Sequence, residues 1–354
     1  MRKRIHIGLA VLFSAAVGAI AWWGFISHEQ SYQGRPLSAW MQDLDYNETI
    51  SPAVTNALRH FGRDALPSII RDLKSQDSSL QYRMLKWAND NDVIKHVPMS
   101  ASIRRDRAML ACTIIGPDAK AAIPALADLL NQPHPAYEAA ITLARIGAPE
   151  AVSVLVNSSS GTNASVQVRI YVAGALGQCV SNAAVVVPAL LRFLQDSNSI
   201  VRSYAAFSLG QIRQQPTVAV PVLIAALADT DPTVRLAACR ALGNFTMQAQ
   251  SDMVPLFKAL NDPAVSVREA AAIALARIDS HNPSTVAKVL PLLIEAITRR
   301  RFEDAAIKAL TECGSLAQPA VPTLLDCLNE TDPPDRDLVV KALLSIDPQI
   351  SIPP

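Results

Sequence analysis

The chain has 354 residues, 50 % of them hydrophobic and only 5 % aromatic, with a net charge of +1. That length suffices for a sizeable core of Ala- and Leu-rich helices. The near-neutral balance supplies no whole-chain field of the kind that draws nucleic acid or a charged membrane surface.

In chain order, Met1-Arg-Lys-Arg4 precedes a run from Ile5 to Ile26 that contains no Asp, Glu, Lys or Arg. These 22 residues would span about 33 Å as a helix at ~1.5 Å each, enough to cross a bilayer core of ~30 Å. The basic residues ahead of the run, and Glu29 as the first charge after it, place residues 1–4 in the cytoplasm and the remainder outside the cytoplasmic membrane. A cleaved signal peptide with Ala19-Ile-Ala21 as its processing site is the alternative, leaving a secreted or periplasmic chain. The apolar run continues past that site through Trp22, Trp23, Phe25 and Ile26, which favours an uncleaved anchor over 5–26. Residues 27–49 follow as a linker and cap, with Leu37, Trp40, Met41 and Leu44 at helical spacing for packing onto the first repeat.

Helices are predicted over 52–61, 64–74 and 80–88. From Asn89 to Ser102 the helical period fails, and this longest interruption is either a contact site or a solvated insertion. Beyond it a fixed period takes over. Arg169, Arg202, Arg235 and Arg268 lie 33 residues apart, each after a valine and each seven residues before a leucine. Asn163, Asp196, Asp229 and Asp262 stand six residues ahead of them. A period of this length marks a stacked repeat array.

One unit, Asp231-Pro-Thr-Val-Arg-Leu-Ala-Ala-Cys-Arg-Ala-Leu-Gly243, reads as a helix. Asp231 and Pro232 start it, and Gly243 stands where a left-handed cap ends it. A more apolar helix, Val220 to Ala228, precedes it. Prolines near the start of such first helices recur at 188, 221, 255, 291 and 322. The predicted pairs are 119–131 with 135–146, 149–156 with 164–177, 182–195 with 199–213 and 217–228 with 232–243. They continue as 250–260 with 264–278, 284–298 with 302–313 and 317–328 with 335–346. Glu303 replaces the expected arginine, 158–162 reads as a flexible connection and 349–354 as a disordered tail. One pair cannot bury its apolar faces alone, whereas stacked pairs share a continuous core. The expectation is an all-α chain, an α-solenoid of about seven to eight antiparallel helix pairs over 50–348, behind an N-terminal transmembrane helix.

The motif Asp231-Pro-x-Val-Arg-x-x-Ala-x-x-Ala-Leu-Gly243 and its copies resemble the HEAT-repeat family, in particular the HEAT-like repeats named after phycobiliprotein lyases. The segment Tyr32-x-Gly34-x-x-Leu37-x-x-Trp40 is similar to one ahead of HEAT arrays in some membrane-anchored bacterial proteins. The resemblance implies a superhelix with a long concave face for a protein partner. It is specific for fold and weak for function, since the repeat serves unrelated roles.

No catalytic constellation, phosphate loop or serine-hydrolase elbow occurs. The columns Arg169, Asp196, Arg202, Asp229, Arg235, Asp262 and Arg268 read as a structural ladder, with Asp or Asn capping the second helix and Arg pairing with a neighbouring carboxylate. Arg299, Arg300 and Arg301, and Arg104 and Arg105 with Arg107, are local basic runs. They are contact candidates for an acidic partner, or solvated helix ends. The six histidines have no second ligand at metal spacing. The HEAT-like enzyme deoxyhypusine hydroxylase needs repeated His-Glu pairs, and here His28-Glu29 stands outside the array. Cys112, Cys179, Cys239, Cys313 and Cys327 sit in different repeats, beyond the ~7 Å reach of a disulfide, and read as buried hydrophobes. No cofactor, metal or nucleic acid is expected. The leading expectation is a membrane-tethered scaffold for a protein partner. A lyase-like subunit acting on a tetrapyrrole-carrying acceptor is the alternative.

Overall fold

A computed structural model describes residues 30–45, 49–76, 99–132, 135–159, 164–250, 252–329 and 334–352. The expected membrane span 5–26 and the helix at 80–88 lie outside these residues, as do most of the interruption at 89–102 and of the connection at 158–162. The chain divides into two compact units, 1–129 and 130–354.

The first unit opens with a hairpin where the sequence suggested only a linker. Strand β1 (Ser31–Tyr32) pairs antiparallel with β2 (Arg35–Pro36). Gln33 and Gly34 turn the chain at φ +50° and +74°, the left-handed pair that a two-residue hairpin loop requires. Helix α1 (Leu37–Gln42) follows. Leu37, Trp40, Met41 and Leu44 are all buried. The Trp40 indole donates to the Tyr32 carbonyl at 3.3 Å, and the Arg35 guanidinium lies over its ring at 4.2 Å. Helix α2 (Pro52–Phe61) starts at Ser51, whose hydroxyl accepts from the Val54 N–H, with proline in the first turn. It stops at Gly62, and a 3-10 turn over 62–65 leads to α3 (Leu66–Leu73).

Helix α4 (Ala101–Ile115) begins inside the stretch read as irregular, because Ser100 caps it by accepting from Ile103 N–H. A 3-10 turn over 116–122 then gives way to α5 (Ile123–Leu130). Among the described residues, one helical stretch, 101–130, is long and apolar enough to cross a membrane, and the pair 166–176 and 180–193, bent by 97°, passes only if counted as a single span. Its Met109, Ala111, Cys112 and Leu126 are buried within the fold.

The second unit is an α-solenoid of two helix layers. First helices are α7 (Pro149–Ser158), α9 (Ala183–Phe193), α11 (Pro216–Ala226), α13 (Val254–Ala259), α15 (Pro283–Thr298) and α17 (Val321–Leu328). Second helices are α6 (Ala136–Ile146), α8 (Val166–Leu176), α10 (Ser199–Ile212), α12 (Pro232–Phe245), α14 (Val265–Ile278), α16 (Glu303–Cys313) and α18 (Arg336–Ile346). Successive second helices pack side by side along the whole row. The registered leucines Leu176, Leu209, Leu242 and Leu275 are at most 1 % exposed. Burial of one such side chain stabilises by about 1.5–3 kcal/mol. Starts are set by local caps: Ser165, Asn198, Asp231 and Asn282 each accept from N–H groups of their own first turn.

Two expectations are corrected. Gly243 does not end its helix, because α12 continues to Phe245. Its task is close approach: a Cβ there would lie 3.0 Å from the Ala274 Cα. Gly210 is tighter, at 2.6 Å from the Ala241 Cα, and Gly177 meets the Ser208 Oγ at 2.8 Å. These three glycines are 33 residues apart and let neighbouring second helices touch. Second, Pro188, Pro221 and Pro291 lie inside α9, α11 and α15 and not at their starts. Each helix accepts the loss of one N–H bond and continues N-terminally from the proline.

Candidate interaction face

The arginine and aspartate columns form rungs between repeats. Arg169 Nε donates to Asp196 Oδ2 at 2.7 Å and Nη2 to Oδ1 at 3.1 Å. Arg202 grips Asp229 at 2.8 Å through both nitrogens, and Arg235 grips Asp262 at 2.7 and 2.9 Å. Each arginine's partner is thus 27 residues ahead, in the next repeat. Its third nitrogen is fixed at home: Arg202 Nη1 donates to the Asp196 carbonyl and Arg235 Nη1 to the Asp229 carbonyl, both at 2.9 Å. The ladder aspartates are not the helix caps. Their Oδ1 atoms accept from the N–H groups of Asn198, Asp231 and Ala264 and shape the turn ahead of the helix. Asn163, which heads this column, lies outside the described residues.

The pairs are largely enclosed, with side-chain exposure of 15 % for Arg235 and 8 % for Asp262. The hydrogen bonds from Arg202 and Arg235 hold the carboxyls of Asp229 and Asp262 below the usual aspartate range, against the opposing effect of burial. Asp231 is held down to about 2 by hydrogen bonds from Ser199 and Thr233.

The ladder ends at Arg268. Its Nη1 is anchored like the others, on the carbonyls of Asp262 and Pro263, but no carboxylate pairs with it among the described residues. The next rung is inverted. Glu269, fully buried, supplies the acid from the earlier repeat, and Arg301 supplies the cation from the later one, Nη2 to Oε1 at 2.8 Å. Glu269 Oε2 has no partner. This exchange draws in the turn ahead of α16, where Arg300 and Phe302 both take φ +52°.

The basic runs are mostly engaged internally. Arg299 pairs with Glu295 at 2.7 Å, one turn back in α15. Arg105 Nη1 donates to the Ser75 carbonyl at 2.6 Å, which ties α4 to the end of α3. Arg104 Nη1 donates to the Met99 carbonyl at 2.7 Å, and Arg104 and Arg107 line a cavity of about 640 Å³ in the first unit. All five cysteines are free and buried. Burial pushes the thiols of Cys112, Cys179 and Cys239 up to about 12 and that of Cys313 to about 11. Among the described residues no group of three His, Cys, Asp or Glu side chains converges as metal ligands would.

The feature that periodicity did not single out is an aromatic ridge on the second helices. Tyr137 and Tyr171 meet edge-on at 5.3 Å, and the Tyr204 ring lies where a Cβ on Gly174 would be 3.1 Å away. Tyr137, Tyr204 and Phe207 are 51 %, 44 % and 38 % exposed. Followed at the repeat period, positions 171, 204, 237 and 270 read Tyr, Tyr, Ala, Ala, while 174, 207, 240 and 273 read Gly, Phe, Arg, Ile. Past Phe207 the ridge therefore drops to alanine, leaving a notch of about 130 Å³ between Phe207 and Phe302, floored by Ala241 and Ala270 and lined by Arg240, Ile273 and Arg277. Arg240 lies over the Phe302 ring at 5.5 Å.

Segments 187–255 and 220–304 match the HEAT repeats model, and 135–160 matches the PBS lyase HEAT-like repeat. The chain belongs to the HEAT-repeat family. No curated protein matches it. Among solved structures it is similar to Kap121p at 15 % identity and TM-score 0.52, covering 82 % of this HEAT-repeat chain and 37 % of that one. It is similar too to the E. coli protein YibA, at 20 % identity and TM-score 0.46 over 77 % of this chain and 98 % of that one. An engineered protein at 22 % identity has TM-score 0.39, covering 87 % of this chain and 98 % of that one.

Proposed function

We propose that this HEAT-repeat chain is a binding scaffold that recognises a protein partner along the second helices of its solenoid and catalyses no reaction itself. Residues 5–26 anchor it in the cytoplasmic membrane, with the N-terminus inside and the repeats outside. The observation that carries the binding role is the row of aromatics on three successive second helices, Tyr137 on α6, Tyr171 on α8, and Tyr204 and Phe207 on α10, of which Tyr137, Tyr204 and Phe207 are exposed. Contiguous apolar surface of this kind marks interaction sites. Kap121p, which has a related fold, is seen bound to Pho4p and to Nup53p. The anchor rests on the uncharged run from Ile5 to Ile26 and the basic residues ahead of it.

Mild cross-linking of the tagged full-length chain in intact membranes tests the scaffold role. A reproducible protein partner is expected, and failure to recover one overturns it. Protease accessibility of a C-terminal tag tests the topology. The PBS lyase HEAT-like match over 135–160 supports a second reading, a lyase-like subunit handling a tetrapyrrole on an acceptor protein. Co-expression with acceptor and bilin, read by absorbance of the adduct, discriminates it.

A further inference from the structure

We infer that the notch between Phe207 and Phe302 receives one apolar side chain of an acidic peptide segment, whose neighbouring carboxylates bond to Arg240 and Arg277. The inference rests on the scaffold reading and names the chemistry of the partner.

Size is the first ground. A cavity of about 130 Å³ holds the liquid volume of about four waters at ~30 Å³ each. That suits a single Leu- or Phe-sized group and is well below the ~300 Å³ at which small-molecule sites begin. Charge is the second. Arg240 is exposed, and its guanidinium has no partner other than the Phe302 ring among the described residues. Arg277 donates from Nη1 to Asn244 Oδ1 at 2.8 Å and keeps a loose pair with Glu312 at 3.8 Å. No residue lining the notch is acidic. Apolar walls beneath two guanidinium groups match a carboxylate set beside an apolar side chain.

Construction is the third ground. The notch exists because, one and two repeats on, Tyr204 gives way to Ala237 and Ala270 and Phe207 to Arg240 and Ile273. Its far wall, Phe302, stands in a left-handed conformation beside Arg301, which is tied to the buried Glu269. Charge-assisted bidentate bonds to carboxylate would then add direction to apolar insertion.

The test uses the full chain in detergent micelles and fluorescence polarisation of labelled decapeptides. The probe carries one Phe flanked by Asp and Glu. One control replaces the acids with Lys, and another replaces Phe with Ser. The acidic Phe peptide should bind, each control at least tenfold more weakly, with affinity falling as salt rises. Arg240→Glu should weaken binding of the acidic peptide at least tenfold, while Arg63→Glu, in the other unit, leaves it unchanged. Phe207→Ser, also at an exposed position, should lower affinity for the Phe peptide to that of the Ser control. Equal binding of the Lys peptide, or affinity unchanged by Arg240→Glu in a chain with unchanged helicity, overturns the inference. Undiminished cross-linking of the membrane partner to the Arg240→Glu chain also overturns it and leaves the scaffold standing. Absence of any partner with the unaltered chain counts against the scaffold itself.

Discussion

Arg235→Met is the sharpest probe of the ladder. Methionine keeps an apolar stem against the repeat and removes four hydrogen bonds. Two go to Asp262 at 2.7 and 2.9 Å, and two to the carbonyls of Asp229 and Thr230 at 2.9 and 3.2 Å. It strands the Asp262 carboxylate, 8 % exposed, with the Ala264 N–H as its remaining direct donor. Breaking a fully buried pair costs about 3–5 kcal/mol, and an exposed pair is worth ~0–1 kcal/mol. This pair is close to the buried limit, so a loss of about 2–4 kcal/mol is expected. At ~2–4 °C per kcal/mol for a unit of this size, Tm should fall by roughly 5–15 °C. Arg63→Met is the control: its pair with Asp118 is 78 % and 57 % exposed and should cost under ~1 kcal/mol. Because repeats contact only their neighbours, amide exchange should quicken first between α11 and α14. A double-mutant cycle with Asp262→Leu should return coupling above ~1 kcal/mol. If Arg235→Met is no worse than Arg63→Met, or the coupling vanishes, the rungs do not hold the array together.

Three further outcomes follow from the same geometry. The folded carboxyls of Asp229 and Asp262 lie below their unfolded values, so as pH falls through that range the native chain takes up fewer protons than the unfolded chain. The ladder's contribution is therefore complete above about pH 4 and is lost below it, and Arg235→Met should flatten acid unfolding followed by circular dichroism. Gly210→Ala gains ~1 kcal/mol of helix propensity but sets a Cβ 2.6 Å from the Ala241 backbone; with overpacking at ~1–3 kcal/mol, the urea midpoint should fall, and fall more than for Gly243→Ala. Arg301→Met takes the ion-pair partner from the enclosed Glu269 and, with Arg301 itself 40 % exposed, should cost about 2–4 kcal/mol in urea unfolding, with most of it recovered by adding Glu269→Gln. A neutral Arg301→Met would mean the inverted rung carries no load.

The repeat was legible because its signals are local and periodic. Val-Arg at 33-residue spacing and apolar positions at helical spacing mark the second helices directly. The partner of each arginine was not legible. An aspartate stands both six residues behind and 27 residues ahead, and only packing decides that the carboxylate ahead takes the fork while the carbonyl behind takes the remaining nitrogen. Gly243 reads as a stop because a glycine after Ala-Leu suits a cap and a close helix contact equally well. The hairpin escaped notice because two-residue strands leave no alternation to detect. Glu269 escaped because a glutamate beside a ladder arginine looks like surface, and nothing local reveals that Arg301 will enclose it.

The aromatic ridge was invisible for a related reason: it is where the repeats differ. Positions that recur unchanged, such as Leu176, Leu209, Leu242 and Leu275, are the buried ones, since every copy must present the same apolar face to its neighbours. Positions 171, 204, 237 and 270 vary instead: Tyr204 is exposed, whereas Ala237 and Ala270, which follow it at the repeat period, are small enough to be buried. The step from tyrosine to alanine falls beside the repeat junction where, among the described residues, the Arg–Asp rung is replaced by its inverse. The irregular rung positions Phe302, the lost aromatics leave room, and Arg240 stands between them. Regularity thus accounts for the stability of this HEAT array, and the departures from it, concentrated between α10 and α16, build the notch that is proposed as its binding site.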